Sequence, residues 1–108
     1  MVFATIVSFE EQTRGWLSYM ARAKNLAAQV EAYRRLKRHL DTYHSIPVLD
    51  FDEMAAVEFS RLSRLKLRIG TFDLRIASIA VSNRATLLTR NRADFERVPA
   101  LTIENWIS

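Results

Sequence analysis

The side chains available for chemistry in this sequence are oxygen and nitrogen donors, because it contains no cysteine. That excludes thiol catalysis, zinc–thiolate sites and a disulfide framework. Three acids hold positions from which they can act. The pattern puts Glu11 in the opening turns of one helix, Asp73 near the start of another, and Asp94 just beyond a strand. In a parallel α/β sheet the strand ends and the loops after them form the working face, so acids far apart in sequence can meet on one rim. Carboxylates gathered in that way suit a hard cation, which requires oxygen ligands. Each acid also has a purely structural reading. Glu11 completes a Ser8-x-x-Glu11 capping box, Asp73 complements a helix dipole, and Asp94 suits a turn. Glu10 and Glu96 read as solvated surface acids. His39 and His44 are five apart with no third ligand or nucleophile beside them, so neither a zinc site nor a catalytic triad is read there. Trp16, Tyr19 and Trp106 read as core or interface residues.

The elements that must position these groups follow from hydrophobic spacing. Phe9, Trp16, Leu17 and Met20 recur at helical intervals, which predicts a helix from about Phe9 to Arg22 with Ser8 as its cap. Leu26, Val30, Tyr33, Leu36, Leu40 and Tyr43 repeat every three or four residues, with Arg34, Arg35, Lys37 and Arg38 on the other faces. This is a long amphipathic helix from about Asn25, ending before Pro47, and its basic side reads as a solvated face. The two helices should form a hairpin across a short polar joint at Lys24. Ile46 to Phe51 reads as a buried strand, and a helix starting near Asp52 carries a stripe of Phe59, Leu62 and Leu65. Gly70 should stop that helix and Thr71 cap the next, whose inward stripe is Phe72, Ile76, Ala77 and Ala80. Ala85 to Thr89 reads as a strand, Asn91 to Glu96 as a polar turn with some helical character, and Leu101 to Ile103 as a last strand. Alternating helices and strands imply a parallel sheet covered by helices, an α/β fold.

The bulk numbers agree with one ordered domain spanning 1–108. Of 108 residues, 49% are apolar and 26% charged, and Gly and Pro occur twice each, which sets disorder and low complexity aside. No apolar run approaches the roughly 20 residues of a membrane span, and the start lacks a signal-peptide pattern, so a cytoplasmic location is expected. The formal charge of +4 favours a polyanionic partner, nucleic acid or an acidic protein segment.

Three blocks, in order, resemble the PIN-domain family, specifically the small VapC-type toxin nucleases of toxin–antitoxin pairs. Ile6-Val7-Ser8-Phe9-Glu10-Glu11-Gln12-Thr13-Arg14-Gly15 is similar to the family's Ser/Thr-x-x-Glu stretch with Gly four residues later. Gly70-Thr71-Phe72-Asp73-Leu74-Arg75-Ile76-Ala77 is similar to its Asp-x-x-Ile-Ala helix start. Leu87-Leu88-Thr89-Arg90-Asn91-Arg92-Ala93-Asp94-Phe95 is similar to its Thr-x-Asn-x-x-Asp-Phe strand end, and Leu101 to Trp106 matches the usual last strand.

The resemblance implies a PIN-like three-layer α/β fold, with a short parallel sheet flanked by helices. It also implies an endoribonuclease dependent on Mg²⁺ or Mn²⁺, acting on RNA. On that resemblance Glu11, Asp73 and Asp94 are the catalytic metal ligands, and Ser8, Thr89 and Asn91 position water or phosphate. Arg14, Arg68, Arg75, Arg90 and Arg92, next to these acids in sequence, are candidates for RNA phosphates. A cognate antitoxin and a homodimer are the expected protein partners. Family members open with a strand ending in aspartate before the Ser-x-x-Glu block, and that strand is expected to be missing here. Either the sequence begins late or Val2 to Val7 stands in as a strand. The expectation is a weak nuclease, and the competing reading is an inactive remnant that only binds protein.

Overall fold

The computed structural model describes residues 3–89 and 92–105. The chain divides into two compact units, residues 1–49 and 50–108.

The first unit is a helical hairpin closed by a minimal parallel pair. Strand β1 (Ala4–Thr5) is followed at once by helix α1 (Ile6–Ala21), then α2 (Leu26–His44) and strand β2 (Val48–Leu49). Ala4 pairs with Val48 and Thr5 with Leu49, and the Ala4 amide donates to the Pro47 carbonyl at 2.9 Å. Helix α1 therefore begins one turn earlier than the spacing predicts. The cap is Thr5, whose Oγ1 accepts from the Ser8 amide at 3.0 Å, and Ser8 lies inside the helix. Ile6 and Val7, β-branched and strand-like in type, are thus helical because Thr5 satisfies the first free amides. Helix α2 starts where expected, capped by Asn25 through the Ala28 amide at 2.8 Å. The hairpin forms as read, with α1 packed on α2. Its centre is an aromatic cluster in which His39 stacks on Phe9 with centroids 5.2 Å apart, and Tyr43 meets both rings edge-on.

The second unit holds most of the buried apolar residues. Helix α3 (Glu53–Ser63), capped by Asp52 through the Ala55 amide at 3.0 Å, packs on α4 (Thr71–Ser82). Five consecutive α4 residues, Ile76 to Ala80, are buried, so this helix is enclosed on all sides at its middle. Strands β3 (Thr86–Thr89) and β4 (Thr102–Asn105) pair in parallel from Thr86↔Thr102 to Thr89↔Asn105. The crossover that a parallel pair requires contains the short helix α5 (Arg92–Phe95), with Phe95 and Val98 buried.

Several boundaries differ from expectation. The strand read over Ile46 to Phe51 contracts to Val48–Leu49 and is half-buried, and Asp52 caps the next helix. Gly70 does not end α3, which stops at Ser63. The connection turns through left-handed Lys66 (φ 51°) and Arg68 (φ 60°), and Leu65 lies past the helix, exposed. Thr71 is the first residue of α4 and Gly70 its cap, without a side-chain bond.

Candidate functional site

In the second unit Asp73 and Asp94 lie near enough for the charge of Asp94 to act on Asp73. Asp73 sits in the first turn of α4, where the free helix amides favour an anion. Its carboxyl is nevertheless held above the ordinary value of 3.8, first by burial and then by the negative charge of Asp94. Partial burial and a like charge outweigh the helix terminus. Asp94 comes from α5, immediately after β3, and is half-buried. Arg97 Nη1 lies 3.8 Å from Asp94 Oδ1 and donates to the Arg68 carbonyl at 2.9 Å. Arg97 thus ties α5 to the left-handed turn that leads into α4. No motif pointed to it, although the Asp94-x-x-Arg97 spacing on one helical turn was a usable signal.

Two carboxylates that repel each other could serve as oxygen donors to a hard divalent cation, whose charge would relieve the repulsion. Within either unit no group of three or more His, Cys, Asp or Glu gathers among the described residues. Glu11 belongs to the first unit. It is exposed on α1, and its charge, after burial, raises the Tyr43 phenol above its ordinary value. Ser8 is engaged locally, its Oγ 2.9 Å from Thr5 Oγ1. Arg90 and Asn91 lie outside the described residues, as do the side chain of Thr89 and all of Trp106.

The remaining basic candidates have varied surroundings. Arg14 pairs with Glu10 at 2.7 Å and Arg92 with Glu96 at 2.7 Å, both on exposed helix faces where such pairs contribute little and yield readily to another anion. Arg68 is exposed. Arg75 rests its guanidinium over Phe59 and Phe72, 5.8 and 6.0 Å from their centroids, and so helps fasten α4 to α3.

No protein-family model matches the chain. Its sequence is 38% identical over 72 residues to a protein of Rickettsia felis named Ribonuclease VapC2, covering 62% of this chain and 54% of that protein. It is 35% identical over 65 residues to a Salmonella typhimurium protein named tRNA(fMet)-specific endonuclease VapC, covering 56% and 49%. The chain thus spans about half the length of the curated relatives it matches. In three dimensions it is similar to a chain in the crystal structure of VapBC2 from Rickettsia felis bound to a promoter DNA fragment. The TM-score is 0.72 and the identity 27%, over 95% of this chain and 73% of that one. Among the described residues no helix is long and apolar enough to cross a membrane.

Proposed function

We propose that this chain, VapC-like in sequence and PIN-like in fold, is a metal-dependent endoribonuclease of a toxin–antitoxin pair, working in the cytoplasm. The observation that supports this most is that Asp73, in the first turn of α4, feels the charge of Asp94 on α5, in a chain whose relatives are named ribonucleases. Mg²⁺ or Mn²⁺, when bound, would acidify an attacking water and neutralise phosphate charge. Asp73, in the first turn of α4, and Asp94, on α5, would hold it. Arg97 would orient Asp94, and Arg92 lies on the same short helix, where it can meet a phosphate.

The test is cleavage of tRNA, the substrate class in the Salmonella relative's name, by wild type and Asp73→Asn in Mg²⁺ and Mn²⁺. Loss of one ligand leaves the metal and water misplaced, so a fall of about 100-fold or more is expected. Cleavage at the wild-type rate by Asp73→Asn would remove the reading. Glu11→Gln, in the first unit, tests the third acid separately.

A protein-binding role is favoured by a different observation. Leu26, Val30, Tyr33 and Leu40 are exposed along one stripe of α2, 79%, 56%, 62% and 55% accessible respectively. Such an apolar stripe suits an antitoxin helix or a second copy of the chain.

A further inference from the structure

We infer that the α1–α2 hairpin of the first unit carries a subsite for one nucleotide of single-stranded RNA, built by Trp16 and Arg38. The subsite rests on the proposed ribonuclease reading for its substrate class. A cavity of about 230 Å³ opens between the helices, lined by Gln12, Trp16, Arg35, Arg38, His39 and Thr42. It is smaller than the roughly 300–1,000 Å³ of a site for a drug-sized ligand, and matches a single base with its phosphate.

The wall and rim have complementary chemistry. Trp16 is half-buried and is braced edge-on by Tyr19, with centroids 5.8 Å apart. Tyr19 is in turn covered by the Arg35 guanidinium at 5.4 Å. Tyr19 braces one edge of the indole, which lowers the cost of ordering it when a base stacks there. Beneath, His39 is fixed by its stack on Phe9 and by its Nε2 contact with Thr13 Oγ1 at 2.9 Å.

Charge selects the occupant. Along this stretch of α2, Arg34 and Arg35 share Glu31, and Lys37 lies 3.8 Å from Asp41. Arg38, exposed at the cavity rim, has no ion pair among the described residues. An uncompensated guanidinium beside a braced indole suits a group that is flat and aromatic at one end and anionic at the other. Gln12 and Thr42 add polar partners for base edges or ribose hydroxyls. A nucleotide has all of these features, whereas an acidic peptide segment offers the charge without the flat ring.

The experiment is binding of a fluorescein-labelled single-stranded oligoribonucleotide of about eight nucleotides. It is followed by anisotropy in EDTA, so that cleavage does not interfere. Trp16→Leu and Arg38→Gln should each weaken binding by about fivefold or more. Arg38→Gln should also lower the salt slope of log K by about 0.7, the loss of one phosphate contact on a single strand. Trp16→Phe, which keeps a ring, should recover most of the affinity and guards against misfolding of the leucine variant. Affinity within twofold of wild type in well-folded Arg38→Gln and Trp16→Leu proteins would overturn the subsite. An oligoglutamate that displaces the RNA with equal affinity and equal dependence on Trp16 would also overturn it, in favour of an acidic peptide. The subsite and the ribonuclease reading fail separately. RNA bound through Trp16 and Arg38 but never cut leaves the subsite standing, and Asp73-dependent cleavage indifferent to both residues removes it.

Discussion

The two units bury their apolar side chains to very different extents. In the second, Ala55, Leu62, Ile76, Ala77, Ile79, Ala80, Leu87, Phe95 and Val98 are buried, and the small residues of α4 allow it to be enclosed on all sides. In the first, Val7 and Ala32 are the buried apolar residues among those described, and the aromatic cluster around His39 takes the place of an aliphatic core. Phe9, Trp16, Met20 and Leu36 are half-buried, and Ile6, Leu17, Leu26, Val30, Tyr33 and Leu40 are exposed. The second unit holds more of the buried apolar side chains, although its Met54, Val57 and Leu65 are exposed, and it brings the charge of Asp94 to bear on Asp73. The first leaves Leu26, Val30, Tyr33 and Leu40 open along α2, with Arg34, Arg35 and Arg38 on the same helix. Burial thus sets the surroundings of the proposed acidic site apart from those of the proposed partner surface.

The contrast is tested most severely by truncating the same residue type in each unit. Leu62→Ala removes a fully buried side chain at the α3–α4 contact and should cost about 2–5 kcal/mol, seen as a lower midpoint in denaturant. Leu26→Ser, at a position 79% exposed, should leave stability within about 0.5 kcal/mol. Paired with Val30→Ser, it should also weaken self-association in sedimentation. Equal destabilisation by the Leu62 and Leu26 changes would erase the distinction.

Acid sharpens the same comparison, because it should act on the two units with opposite sign. Burial holds the His39 imidazole below its ordinary 6.5, so its contribution to stability is present above that pH and is lost as pH falls through the lowered folded value. Asp73 is held above 3.8, so its contribution is fully present below 3.8 and is lost as pH rises through the raised folded value. Lowering the pH from 7 towards 4 should therefore loosen α2 and tighten the start of α4. Hydrogen exchange followed by mass spectrometry, corrected for intrinsic rates, reads both segments in one sample. Slower exchange in α2 at the lower pH would contradict the account of His39.

How much of this was legible in the sequence depended on whether the signal was local. Helix α2 was readable from its apolar period and its asparagine cap, and α3 from Asp52, because caps and stripes are written in neighbouring residues. The start of α1 was not. Ser8 and Glu11 have the spacing of a capping box, but Thr5 stands one turn earlier and takes the first amides, which places Ser8 inside the helix. The pairing of Ala4 with Val48 joins residues that no short pattern links. Gly70 looked like the stop of α3, yet the left-handed positions fall on Lys66 and Arg68, residue types that give no warning of it. At the site, Asp73 and Asp94 stood out by resemblance, whereas Arg97 and the Trp16–Arg38 cavity depend on geometry that spacing alone does not reveal.

The central claim, that Asp73 and Asp94 hold a divalent cation, is tested most directly by thermal melts of wild type and Asp73→Asn/Asp94→Asn with and without Mg²⁺ or Mn²⁺. A cation bound only by the folded chain adds about 1.4 kcal/mol at ten times its dissociation constant, enough to move the midpoint by several degrees. The account predicts that rise in wild type and its absence in the double variant. A wild-type midpoint unmoved at millimolar metal, or a rise of equal size in both proteins, would contradict it.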